Sequence, residues 1–251
     1  MKPLFSCVVP VKGARPYMDE AMESLRNQGM GDDLEIIVQD GDVEPDKGQS
    51  DALNKGFAKA HGEWFFWLNA DDVLLPGALK KLKTLIHSTT TTSVYDSPNW
   101  IAGNTMEIDA KGRVLRCLWD RGRKAAYKGL PVRVYGPSSF VRRDLWEKMG
   151  GLDESLRICM DTDLWCKLRA NGHWFKKVPD YLWGFRIHDG STTRSEVRTA
   201  EELAKQRAEV EAVHARYGVS DSFRRNLWLR FSRLVDGGYL KSWWDTRRFK
   251  V

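Results

Sequence analysis

The chain has 251 residues, 42% hydrophobic and 29% charged, with 21 glycines and 9 prolines, a balance that excludes disordered, collagenous and coiled-coil chains and predicts a sizeable core. Its formal charge of +6 is confined to residues 223–251, where eight Lys/Arg face two Asp/Glu; the first 222 residues hold 32 of each sign and are neutral. The longest unbroken apolar run, 64–68, is far short of the roughly 18–20 residues of a spanning helix, and the N-terminus lacks a signal-peptide layout, so a cytoplasmic, unexported chain is expected.

Residues 5–11 (FSCVVPV), closing on Lys12-Gly13, read as a buried strand. Met18, Ala21, Met22 and Leu25 fall at helical spacing before Gly29, which predicts an amphipathic helix over 16–28. Residues 34–39 (LEIIVQ) make a second strand, followed by Asp40-Gly41-Asp42, and this order implies a right-handed parallel βαβ unit. A helix over 49–60, a third continuous apolar strand at 64–68 (WFFWL) and a helix over 76–87 complete half of a doubly wound fold, before a Ser/Thr-rich loop at 88–93. From 94 to 140 the pattern changes to short strands and turns, with a loop at 119–129. Short helices are expected at 145–149 and 162–170, and a long charged one at 196–217. The scattered cysteines Cys7, Cys117, Cys159 and Cys166 have no paired spacing, which suggests a reducing compartment without disulfides or zinc.

Ligands of open parallel sheets sit beyond the carboxyl ends of the strands. Acidic residues are expected there: Asp40 after the second strand, Asp71 and Asp72 after the third, and Asp161 and Asp163 ahead of a helix. Carboxylates that converge without matching cations call for a divalent metal or a cationic ligand, with Mg or Mn the natural oxygen-seeking candidates. Singly, each has an ordinary reading: Asp40-Gly41 as a turn, Asp72 as a loop cap, Asp161 as a helix N-cap.

Together these residues sit in longer motifs. Val8-Val9-Pro10-Val11, the 34–41 strand with Asp40, the 44–56 run (EPDKGQSDALNKG), Trp67-Leu68-Asn69-Ala70-Asp71-Asp72, Gly150-Gly151-Leu152-Asp153-Glu154, the 160–165 run (MDTDLW) and the 188–193 run (HDGSTT) resemble the motifs of family 2 glycosyltransferases, over residues 4–195. The resemblance is to the bacterial polysaccharide and lipopolysaccharide branch. It implies an α/β GT-A fold, with a mostly parallel central sheet flanked by helices and a C-terminal helical tail. It further implies a hexosyltransferase that inverts configuration while moving a sugar from a nucleotide diphosphate, UDP foremost, to a hydroxyl of a surface glycan. By the same resemblance, Asp161 is the general base, and Pro10, Val11, Asp40, Asp51, Asn54, Asn69 and Ala70 form the nucleotide site. Asp71 and His188 hold Mn or Mg, and Ser139 and Arg142, in the 135–143 run, face the acceptor; separately, Trp119, Trp165 and Trp183 are candidates to stack on its sugar faces. The sequence departs from the pattern at Asn69, where the first acidic position of the D-x-D element would be, in the short loop after Asp40, and at Met160 ahead of Asp161.

A domain spanning 1–217 is expected, with a nucleotide-binding half at 1–95 and an acceptor side at 96–195, followed by a tail at 218–251. The tail holds seven of the chain's 28 aromatics beside its arginines, which suits an anionic inner-membrane surface and a lipid-linked acceptor. Packing back onto the domain or pairing with a second copy are the other readings; no nucleic-acid motif accompanies the tail. Two rival functions are a catalytically silent membrane scaffold, against which Asp71 and Asp161 argue, and a nucleotidylyltransferase, whose Gly-rich basic loop 11–15 only faintly matches.

Overall fold

The computed structural model describes residues 2–90, 98–119, 134, 136–190, 199–219, 227, 230–231, 234–235 and 237–249. Expectations for residues 91–97, most of the 119–129 loop, Tyr135, the Ser191-Thr192-Thr193 end of the His188 motif, the start of the 196–217 helix and parts of the 218–251 tail lie outside them.

The strands are β1 (Phe5–Val11), β2 (Leu34–Asp40), β3 (Trp64–Trp67), β4 (Val73–Leu74), β5 (Trp100–Ile108), β6 (Val114–Leu118), β7 (Ser139–Arg142) and β8 (Lys176–Arg186). The helices are α1 (Met18–Arg26), α2 (Gln49–Ala58), α3 (Ala78–Thr90), α4 (Arg143–Met149), α5 (Met160–Ala170), α6 (Ala200–Arg216) and α7 (Gly238–Phe249). They build one sheet in the order β2-β1-β3-β7-β5-β8-β4, with β6 beside β5. β1 is parallel to both β2 and β3, as the first half of the sequence predicts. Beyond β3 the sheet becomes mixed: β7 is antiparallel to β3 and β5, and β5 runs parallel to β8.

Continuous apolar strands arise here because both faces of the sheet are covered. Side chains alternate, so Cys7, Val9, Trp64 and Phe66 enter one core with Leu25, Leu79 and Leu82. Val8, Phe65 and Trp67 enter the other with Leu53, Phe57, Trp146 and Trp165. Helix α2 lies so close to β1 that a Cβ on Gly56 would come within 2.4 Å of Val8 Cγ1.

Three differences from expectation have local causes. Helix α3 runs on to Thr90, one turn into the Ser/Thr-rich stretch expected as loop. The eleven-residue β8 is hidden in the sequence by Pro179 and Gly184, residues that weaken a strand pattern. Pro179 sits at an irregularity where β8 slips register against β5, and its carbonyl accepts from Asn104 Nδ2 at 2.8 Å. Helix α5 begins at Met160 with Cys159 as N-cap, so Asp161 and Asp163 lie inside its first turn rather than ahead of it.

Gly56→Ala should force α2 off β1. We expect a loss of about 1–3 kcal/mol on chemical denaturation, as for other overpacked core positions; an unchanged midpoint would show that α2 shifts freely.

Candidate active site

The ends of β1 and β3, the residues after β8 and the N-terminus of α2 enclose a cleft of about 670 Å3. Pro10, Val11, Asn69, Ala70, Asp71 and His188, six of the residues expected at a nucleotide and metal, line it together. They arrive from chain positions up to 178 apart because the parallel strands end at the same edge of the sheet.

At the mouth of the cleft, His188 Nε2 lies 3.1 Å from Asp71 Oδ2. The Gly190 N–H donates to His188 Nδ1 at 3.2 Å, which leaves Nε2 to carry the proton toward Asp71 in the neutral ring. The imidazole packs 4.9 Å from the Tyr17 ring. A carboxylate and an imidazole this close, both partly open to the cleft, would supply two ligands to a Mn or Mg ion once the ring proton moves from Nε2 to Nδ1 and the Gly190 contact is given up. No group of three or more His, Cys, Asp or Glu suited to a metal occurs among the described residues, so a diphosphate and water would have to complete the shell.

Asp72 is a different kind of residue. Its side chain is fully buried, accepting from the Arg186 N–H and from Asn69 Nδ2, each at 2.9 Å. Burial first, and the charge of Asp71 second, push its carboxyl well above the usual range. This explains Asn69: its amide donates to Asp72 while its Oδ1 accepts from Gln49 Nε2 at 2.8 Å, and a third carboxylate could not donate. The whole turn rests on Arg186, fully buried. Its guanidinium donates to the Asp71 carbonyl (2.8 Å), the Asp109 and Ala110 carbonyls (3.3 and 3.2 Å) and Glu20 Oε2 (2.5 Å).

Asp40 stands at the end of β2, held by Arg15 through two N–H···O contacts of 2.7 and 3.0 Å. That pairing, with the Asp42 N–H, holds its carboxyl below the usual range. Asp51 and Asn54, expected at the nucleotide, are engaged in the scaffold. Asp51 accepts from the Lys47 N–H (2.9 Å) and pairs with Lys55 (3.0 Å), bracing the loop ahead of α2. Asn54 clips α2 to the double-glycine turn, donating to the Leu152 carbonyl (2.9 Å) and accepting from the Leu152 N–H (3.0 Å).

Asp161 is half-buried, and desolvation raises its carboxyl pKa, although its Oδ1 accepts from the Thr162 N–H at 2.6 Å. The segment that leads into its helix is held from outside. Glu209 of α6 takes the N–H groups of Arg157, Ile158 and Cys159 on one oxygen at 2.8 to 3.0 Å. Burial raises the Glu209 carboxyl, and these donors outweigh it, so its pKa falls below normal. Two turns later, Arg216 donates to the fully buried Asp163 at 2.9 Å. The Glu209 carboxylate thereby fixes the 157–159 backbone that leads into the helix, while no side chain caps the helix itself and Asp161 takes the Thr162 N–H inside the first turn.

The structure places the residues expected at the acceptor outside the lining of this cleft. Ser139 is fully buried in β7 and accepts from Trp100 Nε1 at 2.6 Å. Trp165 is also fully buried, stacked between Trp67 and Trp100 at centroid distances of 5.9 and 5.0 Å. Arg142 pairs in register with Trp64, at the start of β3, and binds Asp144. Since β3 opens the cleft at its far end, Arg142 lies at the opposite edge of the sheet. Trp183, another stacking candidate, is 4% exposed and belongs to the core.

Tyr17, Arg15, Arg157, Arg186 and Glu209 were missed by sequence reasoning. Arg186 carried a usable signal only in standing two residues before His188. Glu209 carried none, being one charge among many on α6.

Glu209→Gln should destabilise the fold by about 1–3 kcal/mol at neutral pH, because charged acceptors make the stronger hydrogen bonds. Its folded pKa lies below the ordinary value of 4.5, so this contribution is complete above about pH 5 and fades as pH falls through the folded pKa. Denaturant titrations of both proteins at pH 7 and pH 3 check this: the gap must narrow at the lower pH.

The profile of glycosyl transferase family 2 matches residues 43–149. An uncharacterized glycosyltransferase of Rickettsia typhi is 29% identical over 227 aligned positions, covering 80% of this chain and 69% of that protein. Among solved structures, TarS of S. aureus in complex with UDP-GlcNAc superposes with a TM-score of 0.59 at 16% identity, over 82% of this chain. The chain spans a little under two thirds, 64%, of that protein. The mannosyltransferase PcManGT of Pyrobaculum calidifontis in complex with GDP-Man and Mn2+ superposes at 0.58 with 17% identity, over 86% of this chain and 70% of that one. The chain thus resembles the family 2 glycosyltransferases over residues 43–149 and shares the GT-A fold of these solved transferases.

Proposed function

We propose that this chain is an inverting, metal-assisted transferase that moves a sugar from a UDP-sugar to a hydroxyl of a surface-glycan or lipid-linked acceptor at the inner face of a membrane, with residues 1–217 as the catalytic unit. The observation that carries the reading is the Asp71–His188 pair, 3.1 Å apart at the mouth of a cleft walled by the ends of β1 and β3. The solved neighbours were crystallised with UDP-GlcNAc and with GDP-Man and Mn2+, which supports a nucleotide-sugar donor.

A divalent ion held by Asp71 and His188 would supply charge neutralisation for the departing diphosphate. Pro10, Val11 and the Asn69-Ala70 backbone would form the wall for the nucleoside, and Asp40 would accept from the base once Arg15 releases it. Asp161 would take the proton of the acceptor hydroxyl as its oxygen attacks the anomeric carbon from the side opposite the diphosphate, inverting configuration. Desolvation suits that role, since a raised carboxyl pKa brings a base closer to neutrality. With Ser139, Arg142 and Trp165 withdrawn, the acceptor would lie against Arg157 and Ile158, which line the cleft just ahead of α5.

Thermal shift with UDP, GDP, dTDP and CMP, each with and without manganese, tests the donor. UDP with manganese at about a hundredfold excess over Kd should raise Tm by roughly 5–10 °C, and Asp71→Ala should abolish the rise. A rise with GDP alone would replace the donor class; no rise with any nucleotide would sink the reading.

Asp161→Asn should keep that nucleotide shift while lowering turnover by about 10²–10⁴-fold. In the native protein, turnover should climb with pH through an inflection above the ordinary aspartate value of 3.8. Because the raised pKa makes folding favour the protonated carboxyl, stability falls as pH rises through that window. The asparagine variant should therefore be at least as stable as the native chain at pH 7, and a clear loss of stability there would contradict the assignment.

A further inference from the structure

Helix α7 is inside out. It turns polar residues to the sheet: Thr246 Oγ1 accepts from the Cys117 N–H at 2.9 Å, and Ser242 Oγ from the Trp119 N–H at 3.2 Å. Asp245, 1% exposed, accepts from the Tyr181 hydroxyl and from Lys241 Nζ, both at 2.6 Å. The two backbone contacts, at the end of β6 and just beyond it, lie on the outer edge of β6, so the helix occupies a sheet edge that would otherwise be open to pairing. The cost is that its apolar residues point outward: Leu240, Trp243 and Trp244 are 68%, 48% and 62% exposed.

The neighbouring chain enlarges the patch. Leu227, Phe231, Leu234 and Val235 are also exposed, and together with α7 they hold nine of the thirteen large apolar side chains exposed among the described residues. A concentration of this kind marks an interaction surface. Its chemistry is that of a bilayer interface: the Arg247 guanidinium lies 4.0 Å over the Trp243 ring and that of Arg248 5.5 Å over Phe249, and all the chain's excess positive charge lies in 223–251. Aromatic rings suit the headgroup level, and arginines beside them suit lipid phosphates.

We propose that the outward face of α7, with the exposed apolar residues just before it, docks on an anionic phospholipid bilayer. This deepens the membrane element of the function proposed above, and its test uses neither donor nor acceptor, so either can fail while the other stands. The polar inner face holds the helix on β6, and the outer face is left for lipid.

The 251-residue chain should sediment with phosphatidylcholine vesicles containing about 30 mole per cent phosphatidylglycerol and stay in solution with phosphatidylcholine alone. Arg247→Gln with Arg248→Gln should weaken that binding by about thirtyfold, given the contribution of each arginine near a charged surface. Leu240→Glu with Trp244→Glu should abolish it, with circular dichroism and Tm unchanged because both side chains are exposed. Absence of sedimentation with anionic vesicles, or equal sedimentation with neutral ones, overturns the proposal. So does a dimer in light scattering that the double glutamate variant splits into monomers without any vesicle binding, since a second copy would then cover the face.

Discussion

A fully buried arginine holds the site together. Arg186 ends β8 with no exposed surface, and a guanidinium withdrawn from water is tolerable only if its donors are met. Three carbonyls and Glu20 meet them, and Tyr17 lies 4.5 Å beneath the plane. Its main-chain N–H binds Asp72. The turn after β3 is thereby fastened to β8, and Asp71 and His188 are brought within contact of each other. Replacing the arginine with a point charge would lose the fork geometry that reaches four acceptors at once.

The opposite wall uses the same device with the signs exchanged. There a carboxylate, Glu209, gathers backbone donors at the start of α5, and Arg216 neutralises Asp163 on the same helix. Helix α6, whose own start is fixed by a Thr199–Glu202 capping box, thus sets the position of Asp161 without touching it. A helix that looks like a solvated charged rod in sequence is a brace for Asp161.

Much of the first half of the fold is legible because its information is local. Strands buried on both faces read as unbroken apolar runs, helices as 3.6-residue periodicity, and both are visible within a dozen residues. β8 is not legible, because Pro179 and Gly184 break its pattern and only pairing with β5 restores it. The positions of the acceptor-side residues were not legible for a related reason. Residue type does not distinguish a tryptophan that stacks on a ligand from Trp165, which stacks on Trp67 and Trp100, and no spacing reveals that Arg142 falls at the far end of the sheet.

From sequence alone came the family resemblance, which grouped Asp71 with His188, and the parallel β1–β3 core, whose strand order puts Pro10, Val11, Asn69, Ala70 and Asp71 on one edge; that His188 joins them depended on β8. Tertiary structure alone decided which polar residues face the cleft and which are bound into the scaffold: Asp51, Asn54 and Ser139 have partners 4 to 98 residues away that absorb their hydrogen bonds. It also decided that α7 shows its apolar side to the outside, because the unfilled backbone donors of β6 claim its polar one. Periodicity records that a helix has two faces; only the surface it packs against selects which one is buried.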